Sequence, residues 1–304
     1  MNPLPEFPAS VHRYVRSIFA TANRRVAEKI ARVPNCPEPS LDHTLVDSVS
    51  FHAGPKTVEP GWTVQIEVHS LGGMRHFYDW EIADIGVLVC ARKDGNVTSQ
   101  KVSLLQSKRL YPKNQGVQEE TSEDYRIGFG RLLPASPKTK TLDSPHRFEF
   151  DFNSKYNEIR AGEGQVARIE EYEKISNIPV HYLLYNPWEV ACSYSYPITT
   201  TSRLGGAANG GARIVSAASL RKKMIGKGAG YRPTMSDLEW LESRSAKARF
   251  GWRLEHFISD RLLRCKEGRL FENIQDDGIF DLFNRRSGPI AAAISINIEQ
   301  SSLR

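Results

Sequence analysis

An aspartate, a glutamine and a lysine stand where two apolar runs would bring them together. The first run is Asp84-Ile85-Gly86-Val87-Leu88-Val89-Cys90 and the second is Lys101-Val102-Ser103-Leu104-Leu105-Gln106-Ser107-Lys108. The polar turn Arg92-Lys93-Asp94-Gly95-Asn96 between them predicts a hairpin. Side chains of a strand alternate, so Gln106 and Lys108 share a face. Antiparallel pairing then sets Asp84, at the start of one strand, near Gln106 and Lys108, at the end of the other. Two oxygen donors and a cation at one sheet edge suit a hard divalent ion and the hydrolysis of a phosphodiester.

Other elements must hold that edge in place. Val11, Val15, Ile18, Phe19, Ala22, Val26 and Ile30 keep helical spacing, which predicts a helix from Ser10, read as its N-cap, to about Val33. Its cations Arg13, Arg16, Arg24 and Lys29 fall outside the apolar stripe. Pro34–Pro39 breaks it, and a second helix follows over Pro39–His52 with Glu38 at its entrance. An acid there interacts favourably with the helix dipole whether or not it does chemistry. Thr63–Ser70 alternates like a half-buried strand. Gly164–Ser176 is an amphipathic helix with Gln165 at its start, and Ile178–Tyr185 is apolar enough for a strand covered on both faces. His181 within it reads as a core histidine. Tyr125–Arg131 mixes aromatic and cationic side chains, read as packing ahead of base stacking. Trp252–Cys265 predicts a last helix and Gly288–Ile298 a terminal strand.

The pattern Asp84 … Gln106-Ser107-Lys108, in this order of elements, resembles the PD-(D/E)xK nuclease superfamily in the variant with glutamine in place of the second acid. The resemblance runs over roughly residues 38–188. It implies an α/β fold with a restriction endonuclease-like core, a mixed β-sheet flanked by helices in the order αβββαβ. The expected division is an N-terminal helical segment 1–36, the core 37–190 and a C-terminal extension 191–304 that packs on the core or forms a partner surface. It further implies a Mg²⁺- or Mn²⁺-dependent nuclease, acting on DNA ahead of RNA, in bacterial restriction or anti-phage defence. Asp84, Gln106 and Glu38 would hold the metal and Lys108 would assist the attacking water. Glu81, just upstream of Asp84, is a further acid of the site, although three residues' spacing points it to the opposite face of a regular strand. Arg109 and Gln165 would contact substrate. A regulatory or targeting protein and self-association are compatible with that role. The alternative is a catalytically inactive protein of the same fold that binds nucleic acid or scaffolds a defence complex.

Composition narrows the choice. The 304 residues carry a formal charge of +6, which favours polyanionic partners mildly. No apolar run approaches the ~20 residues of a membrane span, and the N-terminus has no signal-peptide pattern. Cys36, Cys90, Cys192 and Cys265 form no CxxC pair, so the expected address is the cytoplasm and a structural zinc site is not expected. No P-loop, Gly-x-Ser-x-Gly or HExxH motif occurs.

Overall fold

The structure is a computed structural model and describes residues 4–70, 82–114, 146–162, 164–196, 208–239, 241–242, 250–271, 277–283 and 289–302. Glu81 and the stretch 125–131 lie outside the described residues. Two helices open the chain, α1 (Ala9–Arg32) and α2 (Glu38–Ser50). The strands β1 (Gly54–Glu59), β2 (Trp62–Ser70), β3 (Ala83–Lys93) and β4 (Asn96–Arg109) follow. Next come β5 (His146–Phe150), α3 (Gly164–Ser176), β6 (Val180–Tyr185) and β7 (Cys192–Tyr196). The last third holds β8 (Arg213–Ser216), α4 (Ala217–Met224), β9 (Trp252–Arg253), α5 (Leu254–His256), β10 (Arg269–Phe271), α6 (Asp277–Phe283) and β11 (Ile290–Gln300).

One nine-stranded mixed sheet runs β1-β2-β11-β3-β4-β6-β8-β9, with β10 also on β4. β5 and β7 pair apart from it. Thus the chain is α/β, a mixed sheet flanked by helices. The described residues also correct the expected division at residue 190. β11 lies between β2 and β3, antiparallel to the first and parallel to the second. β8, β9 and β10 join the same sheet, so the C-terminal third supplies strands of the sheet itself, beyond packing on the core or forming a partner surface. Alternation in β11 explains its place: Ile290, Ile294, Ile296 and Ile298 are fully buried, as a strand with neighbours on both sides requires.

α1 buries Val11, Val15, Ile18, Phe19, Ala22, Val26 and Ile30, the residues whose spacing predicts it. Its N-cap is Pro8 and not Ser10: the Pro8 carbonyl accepts the Val11 N–H at 3.1 Å, so the helix starts one residue sooner. The helix expected over Trp252–Cys265 is shorter and differently wound. Trp252 and Arg253 are strand, and Phe257–Leu262 is a π-helical turn in which Leu263 N–H donates to Ile258 O at 3.1 Å. The Ser259 carbonyl that an α-helix would give to Leu263 instead accepts from His12 Nδ1 of α1 at 2.7 Å. A side chain from the neighbouring helix thereby draws one carbonyl out of the ladder, which a π-turn accommodates.

Candidate functional site

Asp94 and Gly95 join β3 to β4 at φ of 48° and 83°, the positive values a type I′ turn needs. The register that follows pairs Ile85 with Leu105, so the next pair outward is Asp84 and Gln106. There Gln106 Nε2–H donates to Asp84 Oδ2 at 2.6 Å, and the Ser107 backbone N–H donates to the same oxygen at 2.6 Å. The carboxylate accepts, which puts the nitrogen end of the amide against it. Gln106 is 2% exposed, and its carbonyl oxygen Oε1 is buried with no hydrogen-bond partner. An unpaired buried acceptor costs about 1–3 kcal/mol, so any arrangement that gives this oxygen a partner is favoured by that order.

Lys108 goes elsewhere. Its Nζ lies 3.0 Å from Glu38 Oε1, and Glu38 Oε2 accepts the Arg109 backbone N–H at 3.0 Å. The two side chains are 4% and 8% exposed, so this is a buried ion pair. Glu38 is the first residue of α2, where the dipole favours an acid, and the structure adds a specific cation to that general preference. The expected four residues therefore form two pairs, Asp84 with Gln106 and Glu38 with Lys108. Among the described residues no three His, Cys, Asp or Glu side chains gather as a metal cage.

Asp42 joins the site without having been expected there. It lies one turn along α2 from Glu38, a spacing that puts both acids on one face. Its Oδ1 accepts from the Ser107 hydroxyl and from the Tyr185 hydroxyl, the latter at 2.6 Å. Burial, and after it the nearby charge of Asp84, pushes the Asp42 carboxyl up to about 8, against the pull of these hydroxyls and of Lys108. Burial beside Asp84 thus favours the protonated form of Asp42, which limits the negative charge next to Asp84. Ser107 binds both acids, Asp84 through its N–H and Asp42 through its hydroxyl. The spacing Glu38-x-x-x-Asp42 was the available signal for Asp42. Nothing in the sequence marks Ser107, the middle residue of the motif.

Arg109 is 1% exposed. Its guanidinium donates to the Cys36 and Pro34 carbonyls, the latter at 2.7 Å, and lies over the Tyr111 ring. A cation committed to closing the loop between α1 and α2 has no surface for a substrate contact, contrary to the expectation. Gln165 is half-buried in the first turn of α3, and among the described residues no hydrogen bond links it to Asp84, Gln106 or Lys108. His181 is fully buried between Ser103 Oγ at 3.2 Å and Glu267 Oε2 at 3.4 Å, which makes it part of the core.

Among the described residues no helix is long and apolar enough to cross a membrane. Comparison of the chain with protein-family models, with curated proteins and with solved structures finds no match.

Proposed function

We propose that the chain is a divalent-cation-dependent nuclease of the PD-(D/E)xK type, cutting DNA in a bacterial restriction or anti-phage role in the cytoplasm. The observation that carries this reading is the orphaned Gln106 carbonyl oxygen beside the Asp84 carboxylate. Turning the carboxamide over would set a carbonyl oxygen next to a carboxylate oxygen. That donor set fits Mg²⁺ or Mn²⁺, because magnesium is commonly held by one or two carboxylates with waters and substrate phosphates filling the rest. The bound ion would supply Lewis acidity to a water and to the scissile phosphate.

The chain's own residues do the positioning. Ser107 N–H and Gln106 fix the Asp84 carboxylate, and Glu38 fixes the Lys108 ammonium one strand residue beyond. A held cation next to the reacting phosphate stabilises charge that develops there. The order α2, β2, β3, β4, α3, β6 supports the restriction endonuclease-like core, with β11 as an added strand between its first two. All four cysteines are free, which suits a reducing compartment.

A second reading, an inactive nuclease-like fold that binds nucleic acid, is favoured by the burial of Lys108 against Glu38. Nicking of supercoiled plasmid separates the two. Cutting by the wild type with Mg²⁺ or Mn²⁺, none with EDTA and none by a folded Asp84→Ala variant supports the nuclease. Equal cutting by wild type and Asp84→Ala overturns the site, and no cutting with either ion leaves the binding protein.

A further inference from the structure

Outside the paired residues of the site, one cluster of cations has little to neutralise it. The guanidiniums of Arg24 and Arg253 lie over the Trp188 ring, 5.3 Å and 5.4 Å from its centroid. Arg213, 2% exposed, is paired in register with Arg253 across β8 and β9, and its NH1 is buried without a partner. The indole Nε1 of Trp188 is likewise buried and unpartnered. Burial first, then Arg253, depresses the Arg213 pKa to about 10, a sign of cations crowded together. On the other side Arg25 lies 5.0 Å over the ring of Phe51, which is 68% exposed. Arg32 stands exposed in the last turn of α1. Among the described residues Glu255 is held by Arg253 at 2.5 Å and by Asn23 at 2.9 Å, Glu28 stands one turn from both Arg24 and Arg32 on α1, and the exposed Glu189 follows Trp188 in the chain.

Two short stretches of chain connect the cluster to residues of the candidate site. Trp188 is three residues beyond Tyr185, whose hydroxyl reaches Asp42, so the two Cα atoms are within about 11 Å. At the other end, Arg32 precedes the loop that Arg109 ties to β4. From Arg24 to Arg32 the helix rises about 12 Å, the span of three or four phosphates on one strand at ~3.4 Å each. Cations at this spacing complement a regular polyanion better than a single small anion. An exposed aromatic ring beside them adds a stacking surface.

We propose that the outer face of α1, with Arg24, Arg25 and Arg32 as its cations and Trp188 as the platform for Arg24, receives the phosphodiester backbone of the substrate. The inference rests on the nuclease reading for the word substrate, while the polyanion contact stands by itself. Arg253 is left intact in the test, because its loss would take the paired cation from the buried Glu255.

The test is fluorescence anisotropy of a labelled DNA duplex in EDTA at several salt concentrations. Arg24→Ala/Arg25→Ala is compared with Lys222→Ala/Lys223→Ala, which removes the same charge from exposed positions on α4. Two lost phosphate contacts should lower the salt slope by about 1.8 and weaken binding at least about tenfold at low salt. The α4 pair should stay within about twofold, and Arg24→Lys/Arg25→Lys should keep the wild-type slope. Equal losses for both pairs, or none for the α1 pair, would overturn the inference. So would binding to phosphatidylglycerol-containing vesicles that matches duplex binding and depends on the same arginines, since the partner would then be a membrane surface. Plasmid cutting is scored in parallel. A wild type that cuts while the α1 variant binds normally sinks the inference and spares the nuclease. A wild type that never cuts but loses duplex binding with Arg24 and Arg25 does the reverse.

Discussion

Replacing Lys108 by methionine tests whether the Glu38–Lys108 pair is structural, catalytic or both. The pair is 3.0 Å long and the two side chains are 4% and 8% exposed. Removing one member of such a buried pair typically costs about 3–5 kcal/mol, because the partner's charge is left behind without compensation. Here Lys108→Met takes the cation away from the Glu38 carboxylate, while the neutral Arg109 N–H still donates to it. Unfolding entropy near ~2.1 cal/mol/K per residue gives about 0.64 kcal/mol/K for 304 residues. The expected fall in Tm is therefore about 5–8 °C. Glu38→Gln should cost a similar amount, since the amide still accepts from Arg109 but no longer neutralises Lys108. The double variant removes both charges, so its loss should stay near that of one single variant, a coupling of about 3 kcal/mol. Thermal melts followed by circular dichroism give the four corners of the cycle. Losses that simply add would refute the reasoning, because the two side chains would then not be stabilising each other. The double variant also separates chemistry from the buried-charge penalty: it should be about as stable as either single variant and still fail to cut plasmid.

Gln106→Glu sets a second carboxylate against Asp84, so its Tm should fall below wild type in EDTA and rise with saturating Mn²⁺; an Mn²⁺ response no larger than that of the wild type would count against Gln106 as a ligand. Tyr185→Phe removes the hydroxyl that donates to Asp42 at 2.6 Å in a buried setting and should cost about 1–2 kcal/mol, or roughly 2–3 °C in Tm, with an unchanged Tm as the contrary result. At Glu267, burial pushes the carboxyl up, but His181 and Arg261 together hold it below its ordinary 4.5. A depressed carboxyl stabilises the fold fully above the unfolded value and loses that contribution as pH falls through the folded value. Glu267→Gln should accordingly be less stable than wild type at pH 6–7, with the gap narrowing as pH falls below about 4.5; a gap that stays constant from pH 7 down through the acid range would refute the linkage.

What could be read in the sequence depended on whether the signal was local. Asp84 and Gln106 were legible as neighbours because the Asp94-Gly95 turn and the period of two fix register over the whole hairpin. α1, α2, α3 and β6 follow from periodicity and fall within a residue or two of expectation. Asp42 was passed over because the apolar stripe of α2, Leu41, Leu45 and Val49, draws attention to the helix's core side, while the face that carries the acids is decided by what packs there. Arg109 reads as a surface cation because arginine is seldom buried, whereas the carbonyls of Pro34 and Cys36, remote in sequence, help to make its burial tolerable. The π-turn at Phe257–Leu262 depends on His12, about 250 positions upstream, and no local pattern announces it.

The position of β11 bears on the site more than its place at the end of the chain suggests. Ile290 pairs with Ala83, and the Pro289 carbonyl accepts the N–H groups of Ile82 at 2.9 Å and Ala83 at 3.1 Å. The residues immediately before Asp84 are thus pinned by the C-terminal strand and not by β2. On the other side, Ser107 and Gln106 pin the carboxylate itself. Gly86, two residues on, leaves room for Ile290 and Phe283, since a Cβ there would come within 2.7 Å of the isoleucine. Small size at that one position lets β11 and α6 close over β3 where its acid emerges. Under the proposed reading, an ion held by the Asp84 carboxylate and the Gln106 amide would have few protein ligands, so a rigid strand start would help to define its place. The C-terminal strand therefore bears on Asp84 indirectly, by pairing along β3 and fixing the backbone from which that acid emerges.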